Sequence, residues 1–464
     1  MSLVVRNGIV VMESAAIEAD VLIEGGSIVA IGSGLSGIEV LDASGSYVLP
    51  GVVDPHVHTS LLGHSPMQPL GEDFAQTTFA GLMGGVTTTG GYVQRTPEHS
   101  LPDILRRQAA WSLKYAATDF FFNALVLPGD NISEVVRIGV ELGVSTFKTF
   151  MSYEKRGLQL DDAGLFELLR ATARHGVMAI VHPENGKVAN LLEEEERASG
   201  AIDHGAFLRT APGILEAEGM YRAGSLARMV GATILFAHLS SKEGATALRH
   251  LRSLPGGERI FCETQPHYLC LTNREVLERG PLAKVGPPLR EDDDVAAVWS
   301  AVLDGEVGHL ASDHTARSTA MKMDGDPNIL DAAYGGFSGT ELLLPLAFRF
   351  GIEEGRFDVV KMSQLISTTA AKVYGLYPHK GAIREGADAD LAIVPADGPS
   401  IDITPERLHG MSDYTVFRGM SSRGFPSHVV RRGTIVVADN ELVANVPPRY
   451  LSGTYGGKPG SGDG

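Results

Sequence analysis

Two histidines stand one residue apart in the stretch Asp54-Pro55-His56-Val57-His58. In extended backbone alternate side chains share a face, so both imidazoles project together. Two imidazoles on one face at a strand end can chelate a metal ion. The same spacing also arises from two unrelated surface histidines. Four further residues have the right chemistry: Lys148 in VSTFKTFM, His182 in VHPEN, His238 in FAHLS and Asp313 in LASDH.

Lys148 is the odd member. A charged lysine inside an apolar strand costs several kcal/mol unless it is paired or altered. One resolution is an outward-reaching side chain or a carboxylate partner. Beside a cationic metal site the ammonium is unfavourable twice over. Reaction of the neutral amine with CO₂ resolves this, because a carbamylated lysine is an anion able to bridge two metals.

The elements that must position these residues can be read from the pattern of apolar runs. Eight β-rich segments alternate with helix-length ones: 47–54, 86–93, 119–126, 144–151, 177–184, 233–240, 259–266 and 307–314. Such alternation predicts an α/β fold, a parallel sheet with crossover helices, and eight units predict a (β/α)₈ TIM-type barrel. Lys148 falls in the fourth segment; His182, His238 and Asp313 close the fifth, sixth and eighth. A barrel gathers those ends around one mouth, which scattered structural histidines would have no reason to share. Two long insertions, 185–215 and 315–340, fall on the same face.

Both chain ends have a different texture. LVVRNGIVV and ADVLIEGGSIVAIG near the start, and SHVVRRGTIVVADNELV near the end, read as strand, tight turn, strand. They predict a small β-sandwich domain from residues 1–50 and 386–450 around a barrel of 51–385. The Gly-rich residues 451–464 read as a mobile tail.

Composition narrows the partners. A net charge of −17 would repel a phosphate backbone or an anionic membrane surface. No apolar run is long enough to span a bilayer, and the start of the chain carries no signal-peptide pattern. Two cysteines, Cys262 and Cys270, make no disulfide framework and fit a reducing, cytoplasmic setting.

In order along the chain stand DPHVH, EDF, GLMGGVTTT, TFKTFMSY, VHPENG, RTAPGILEAEGMYRA, FAHLSSKEG, GPPLR, SDHT and KGAIREGADADLAI. Together they resemble the hydantoinase/dihydropyrimidinase branch of the amidohydrolase superfamily over nearly the whole chain. The resemblance implies two divalent metal ions, commonly zinc. It makes His56, His58 and Asp313 ligands of one, His182 and His238 ligands of the other, and carbamylated (N6-carboxylated) Lys148 the bridge. It implies a hydroxide between the metals that attacks a ring carbonyl, with Asp313 shuttling the proton and Tyr153 stabilising the oxyanion. It further implies main-chain substrate contacts near Gly286 and Gly335, where the family usually has serine and asparagine. His64 and Phe150 are expected to border the substrate, with solvent and core as their plain alternatives. His267 and His314 are expected to be structural.

The reaction this implies is opening of a hydantoin or dihydropyrimidine, a small cyclic ureide, to an N-carbamoyl amino acid. Allantoin stays open, because the loop after the eighth segment is unusual. Dihydroorotate is disfavoured: Ser60 stands two residues after His58, where dihydroorotases typically place an arginine. A non-catalytic relative should lack several ligand positions, and this chain has all six. Relatives of this kind are dimers or tetramers, so a homo-oligomer, a homotetramer among the possibilities, is expected.

Overall fold

The computed structural model describes residues 2–59, 72–200, 202–332 and 335–453. Parallel strands run in sequence through Val52–His58, Val86–Val93, Asp119–Leu125, Thr146–Phe150, Met178–His182, Thr233–Phe236 and Ile260–Thr264. The eighth position is split. His309–Leu310 pairs with the seventh strand, while His314–Thr315 pairs with the first, so the sheet closes on itself. Helices such as Asp162–His175 and Gly213–Val230 connect the strands on the outside. Their ends follow from local chemistry: Asp161 accepts the Gly164 N–H at the start of one, and Gly176 ends it at a φ of 65°.

Period-two patterning separates the inside of the barrel from its wall. In the fifth strand Met178 and Ile180 face the lumen, together with Phe121 and Leu235, while Ala179 and Val181 pack against the helices. His182 continues the inward series. In the fourth strand Phe147 joins the helix-facing core, which turns Lys148 inward.

The segment read as one strand at 47–54 is two. Ser46–Pro50 belongs to the terminal sheet and Val52–His58 to the barrel. Pro50 has no N–H to donate, and Gly51 gives its own to Asp390 O at 2.8 Å, where the chain changes sheets. The barrel strand then carries an irregularity: Asp54 to Val57 is three steps, opposite two on its neighbour. That bulge moves the inward face from Val53 to His56 and His58. The segment expected at 233–240 also shortens, so His238 sits in the loop beyond Phe236.

Strands from both chain ends share one nine-stranded sheet around a core that includes Leu3, Val10, Val48, Leu391 and Val430. Residues 446–453 run instead along the barrel. Phe120 donates to Arg449 O at 2.9 Å, and Leu451 donates back to Phe120 O at 2.7 Å. The first three residues of the expected tail are therefore held; the rest of it, 454–464, lies outside the described residues.

A buried ion network joins sheet to barrel. Asp119, at the start of the third strand, meets Lys380 at 2.6 Å and Arg431 at 2.8 Å, and accepts the Arg449 backbone N–H at 2.9 Å. Lys380 also reaches Asp388 at 3.0 Å and bonds Asp390, so its ammonium fills the middle of the Asp119, Asp388 and Asp390 group. Burial opposes the Asp119 carboxylate, but Lys380 and Arg431 outweigh it and hold its pKa at about 2. Because the folded-state pKa is depressed, this contribution is fully present above about pH 4 and lost as the pH falls towards 2. It amounts to about 2 kcal/mol. Asp119→Asn leaves two buried cations short of a partner and should cost about 3–5 kcal/mol. Urea denaturation at several acidic pH values should show the variant without that part of the acid slope; an unchanged slope would refute the assignment.

Candidate metal centre

The barrel mouth gathers six side chains from five strand ends. His56 Nε2 and His58 Nε2 lie 3.0 and 3.3 Å from Asp313 Oδ1, and 3.2 Å from each other. Three ligand atoms this close are the donor set of a cation site. The His182 and His238 rings stand 4.4 Å apart, with His238 5.9 Å from His56. Lys148 Nζ lies 5.6 Å from the Tyr92 ring and 5.2 Å from the Phe150 ring. Its amine and His238 Nδ1 are buried without a hydrogen-bond partner among the described residues. Orphaned donor atoms facing a histidine–carboxylate cluster are what a bound metal would satisfy, so the residues fit divalent metal ions.

Burial sets the charges. It drives the Lys148 pKa down to about 8, against the pull of Glu263 and Asp313, so a neutral amine is accessible near neutral pH. It lowers His58 to about 4. Burial disfavours protonated His56 as well, but the Glu263 and Asp313 carboxylates prevail and raise it to about 9. Desolvation pushes the partly buried Tyr153 well above the ordinary phenol value, and it stays a donor.

Three pocket residues adopt left-handed backbone: Tyr153 at φ 65°, His238 at 45° and Asp313 at 49°. Such conformations are uncommon away from glycine and persist where surroundings over-determine them. For Asp313 the determinant is Asp54, whose Oδ1 accepts the Ser312 N–H at 3.0 Å and whose Oδ2 accepts its hydroxyl at 2.5 Å. The pair ties the split eighth strand to the first. For His238 it is Glu216, which accepts from the N–H and hydroxyl of Ser240 at 2.8 and 3.0 Å and bonds Ser241. Glu216 rides on Gly213–Val230, which lies so close to the fifth strand that a Cβ on Gly219 would sit 1.8 Å from Pro183 O.

Phe150, Tyr153, Gly286 and Gly335 line the same cavity as the metal-site residues. A Cβ on Gly286 would come 2.3 Å from the Tyr153 hydroxyl, so a side chain there and that hydroxyl compete for one space. Gly335 packs across from it, its Cβ direction 3.6 Å from Lys284 O. A second cavity of about 480 Å³ adjoins and shares Tyr153, Gly286 and Gly335. His314 is buried, with Nε2 3.3 Å from Glu72 and Nδ1 accepting from Gly339 and Thr340, so it anchors the loop after the eighth strand. His267 is buried against Tyr268 and Phe337. His64 and Ser60 lie outside the described residues.

Sequence reading passed over several participants. Glu263 bonds His56 Nδ1 and lies 3.2 Å from His309 Nε2. Glu184 lies 2.6 Å from His182 Nε2. Arg156 and Arg317 also line the cavity. The available signal for Glu263 was a carboxylate within the short strand IFCET, where an inward acid needs a partner. Its bond orients the His56 ring and fixes which nitrogen faces the cavity. Glu263→Gln should weaken zinc binding roughly 10- to 100-fold, measured by equilibrium dialysis; unchanged affinity would show that His56 is oriented without it.

A family model described as the amidohydrolase family matches residues 47–436. The chain is 31% identical over 450 residues to a D-hydantoinase of Ralstonia pickettii, covering 96% of each. It is 33% identical over 450 residues to an allantoinase of Solibacter usitatus, covering 95% of this chain and 94% of that one. Among solved structures, a D-hydantoinase superposes with a TM-score of 0.92 at 30% identity, covering 98% of this chain and 99% of the other. A dihydropyrimidinase from Brevibacillus agri gives 0.90 at 30% identity, covering 99% and 100%.

Proposed function

Because the chain belongs to the amidohydrolase family, and within it to the hydantoinase branch, we propose that it opens hydantoin or dihydropyrimidine rings to N-carbamoyl amino acids. It is a cyclic amidohydrolase. The observation that carries the substrate reading is the His56, His58 and Asp313 cluster beside an unpartnered, buried Lys148 amine in one cavity.

His56, His58 and Asp313 would hold one divalent ion, and His182 and His238 a second, with zinc suited to this nitrogen and oxygen set. Lys148 would add CO₂ at its neutral amine and release a proton, and the resulting carbamate anion would help to hold both ions. Bound metals supply an acidified water and a polarised ring carbonyl. The chain does the rest. Asp313, ionised, takes the proton of the attacking water and delivers it to the departing ring nitrogen. The Tyr153 hydroxyl donates to the carbonyl oxygen as negative charge builds there. Phe150 and Leu158 line the cavity with apolar surface. Backbone groups at Gly286 and Gly335 meet the N–H and C=O edge of the ring, which needs no side chain at either position.

The deciding experiment is a ring-opening assay of metal-loaded protein on hydantoin, a 5-aryl hydantoin, dihydrouracil, allantoin and dihydroorotate, with a chelated control. Opening of a hydantoin or dihydrouracil, abolished by chelation, is expected. A preference for allantoin would move the substrate assignment, and inertness towards all five would end it. Lys148→Ala should lose bound metal and activity, both partly restored by a short-chain carboxylic acid; full activity in that variant would remove the bridge.

A homo-oligomer fits this reading. Ile214, Tyr221 and Met229 lie seven and eight residues apart on Gly213–Val230 and are all exposed, an apolar stripe on one helix face. Light scattering should give a mass above that of one chain; a monomer at micromolar concentration would refute it.

A further inference from the structure

Two lysine side chains tie together two segments that wall the catalytic cavity. Lys322 ends the short helix Thr319–Lys322, in the loop after the eighth strand, and is 1% exposed. Its Nζ donates to Leu282 O at 3.0 Å and to Lys284 O at 3.2 Å. Lys284 reaches the other way. Its Nζ donates to Ile329 O and Ala332 O, each at 2.7 Å, and to Leu330 O at 3.4 Å. Among the described residues every hydrogen bond of either amine goes to a main-chain carbonyl of the opposite segment. The Gly336 N–H completes the join by donating to Lys284 O at 3.0 Å.

The joined segments carry the two cavity glycines. Gly286 follows Lys284 by two residues, and Gly335 packs on the same stretch, its Cβ direction 3.6 Å from Val285 Cα and 3.9 Å from Gly286 N. Both glycines line the catalytic cavity. No helix or strand covers residues 284–290 or 335–339. Backbone outside regular structure needs partners from elsewhere, and donors that cross between segments supply them. Burial disfavours both ammonium groups, lowering Lys284 to about 8 and Lys322 well below the ordinary amine value. An apolar side chain of similar reach would avoid that cost. What the lysines add is therefore the set of carbonyl bonds across the gap.

We propose that Lys284 and Lys322 form a reciprocal clasp that fixes the gap between Gly286 and Gly335, and so are positioning residues for the N–H and C=O edge of the substrate ring. This rests on the cyclic-ureide reading, in which main-chain groups at the two glycines meet that edge. Neither lysine touches a reacting atom. With the clasp in place the two segments are ordered before substrate arrives. Without it substrate has to order them, and the loss is felt as weaker binding. Asp313 is held separately, by Asp54 through Ser312, so metal binding does not depend on the clasp.

The test is steady-state kinetics of zinc-loaded protein on whichever of the five ring substrates it opens fastest, with bound zinc measured in parallel. Lys284→Met should raise KM roughly 10- to 100-fold, the scale of two or three lost hydrogen bonds. The change in kcat should be much smaller, and zinc should stay at the native level. Lys284→Arg, which keeps donors at that position, should recover part of the KM. Lys322→Met should act in the same direction, and the double variant should lose less than the product of the two single effects, because the pair works as one unit. An unchanged KM in folded Lys284→Met, or loss of zinc and kcat along with KM, would overturn the inference while ring opening by the native protein stands. If the variants do not fold, hydrogen exchange on the native protein decides: the Gly336 amide should be protected, and exchange at the rate of a free chain would overturn the clasp. Native protein inert towards all five rings would overturn the cyclic-ureide reading, and the substrate role of the clasp with it.

Discussion

Burial of an amine that no neighbour accepts weakens its hold on a proton, and Lys148 is such an amine within a histidine cluster. Lys148 faces the lumen because of strand parity, with Phe147 and Thr149 directed to the helices. Burial brings its pKa to about 8, and no hydrogen-bond partner meets its nitrogen among the described residues. In the proposed site, carbamylation and metal binding would answer both problems at once, since a carboxylate-like anion among cations is favourable where an ammonium is not. Five strands, or the loops that follow them, bring six side chains into one small volume.

The carboxylates that do this are not themselves at the reaction centre. Asp54 locks Ser312, and thereby places Asp313. Glu263 engages His56, and Glu216 grips the loop that carries His238. Each is buried and hydrogen-bonded, so its removal would leave polar groups unsatisfied as well as a ligand unsupported. The left-handed backbone at Tyr153, His238 and Asp313 is stabilised by this framework and by tight contacts such as that of Gly219 with Pro183. In the proposed reaction rigidity would be useful, because proton transfer through Asp313 tolerates little displacement.

The outer ion network around Asp119 and Lys380 has a different purpose. It welds the sheet of chain termini to the bottom of the barrel, through Arg431 and Arg449 from the last strands and beyond. The acidic trio there resembles a cation site in outline, yet an internal ammonium already occupies its centre. Electrostatics at the base of the barrel is thus settled by compensated charge.

The sequence by itself determined the element order and marked the candidate ligand residues. Period-two alternation, strand–helix repetition and the placement of His182, His238 and Asp313 at segment ends are local patterns, and local patterns survive in one dimension. It also marked Lys148, because a lysine within VSTFKTFM is anomalous wherever that segment packs. What only the tertiary structure decided is everything that depends on partners distant along the chain. The bulge between Asp54 and Val57 arises from register against the second strand, and the split eighth strand from closure onto the first. Glu263 and Asp54 act across 207 and 258 residues. Arg156 and Arg317 read as ordinary loop cations until closure of the barrel sets both against one cavity. Side-chain type is written in the sequence; which charges share a low-dielectric space is set only when the strands close.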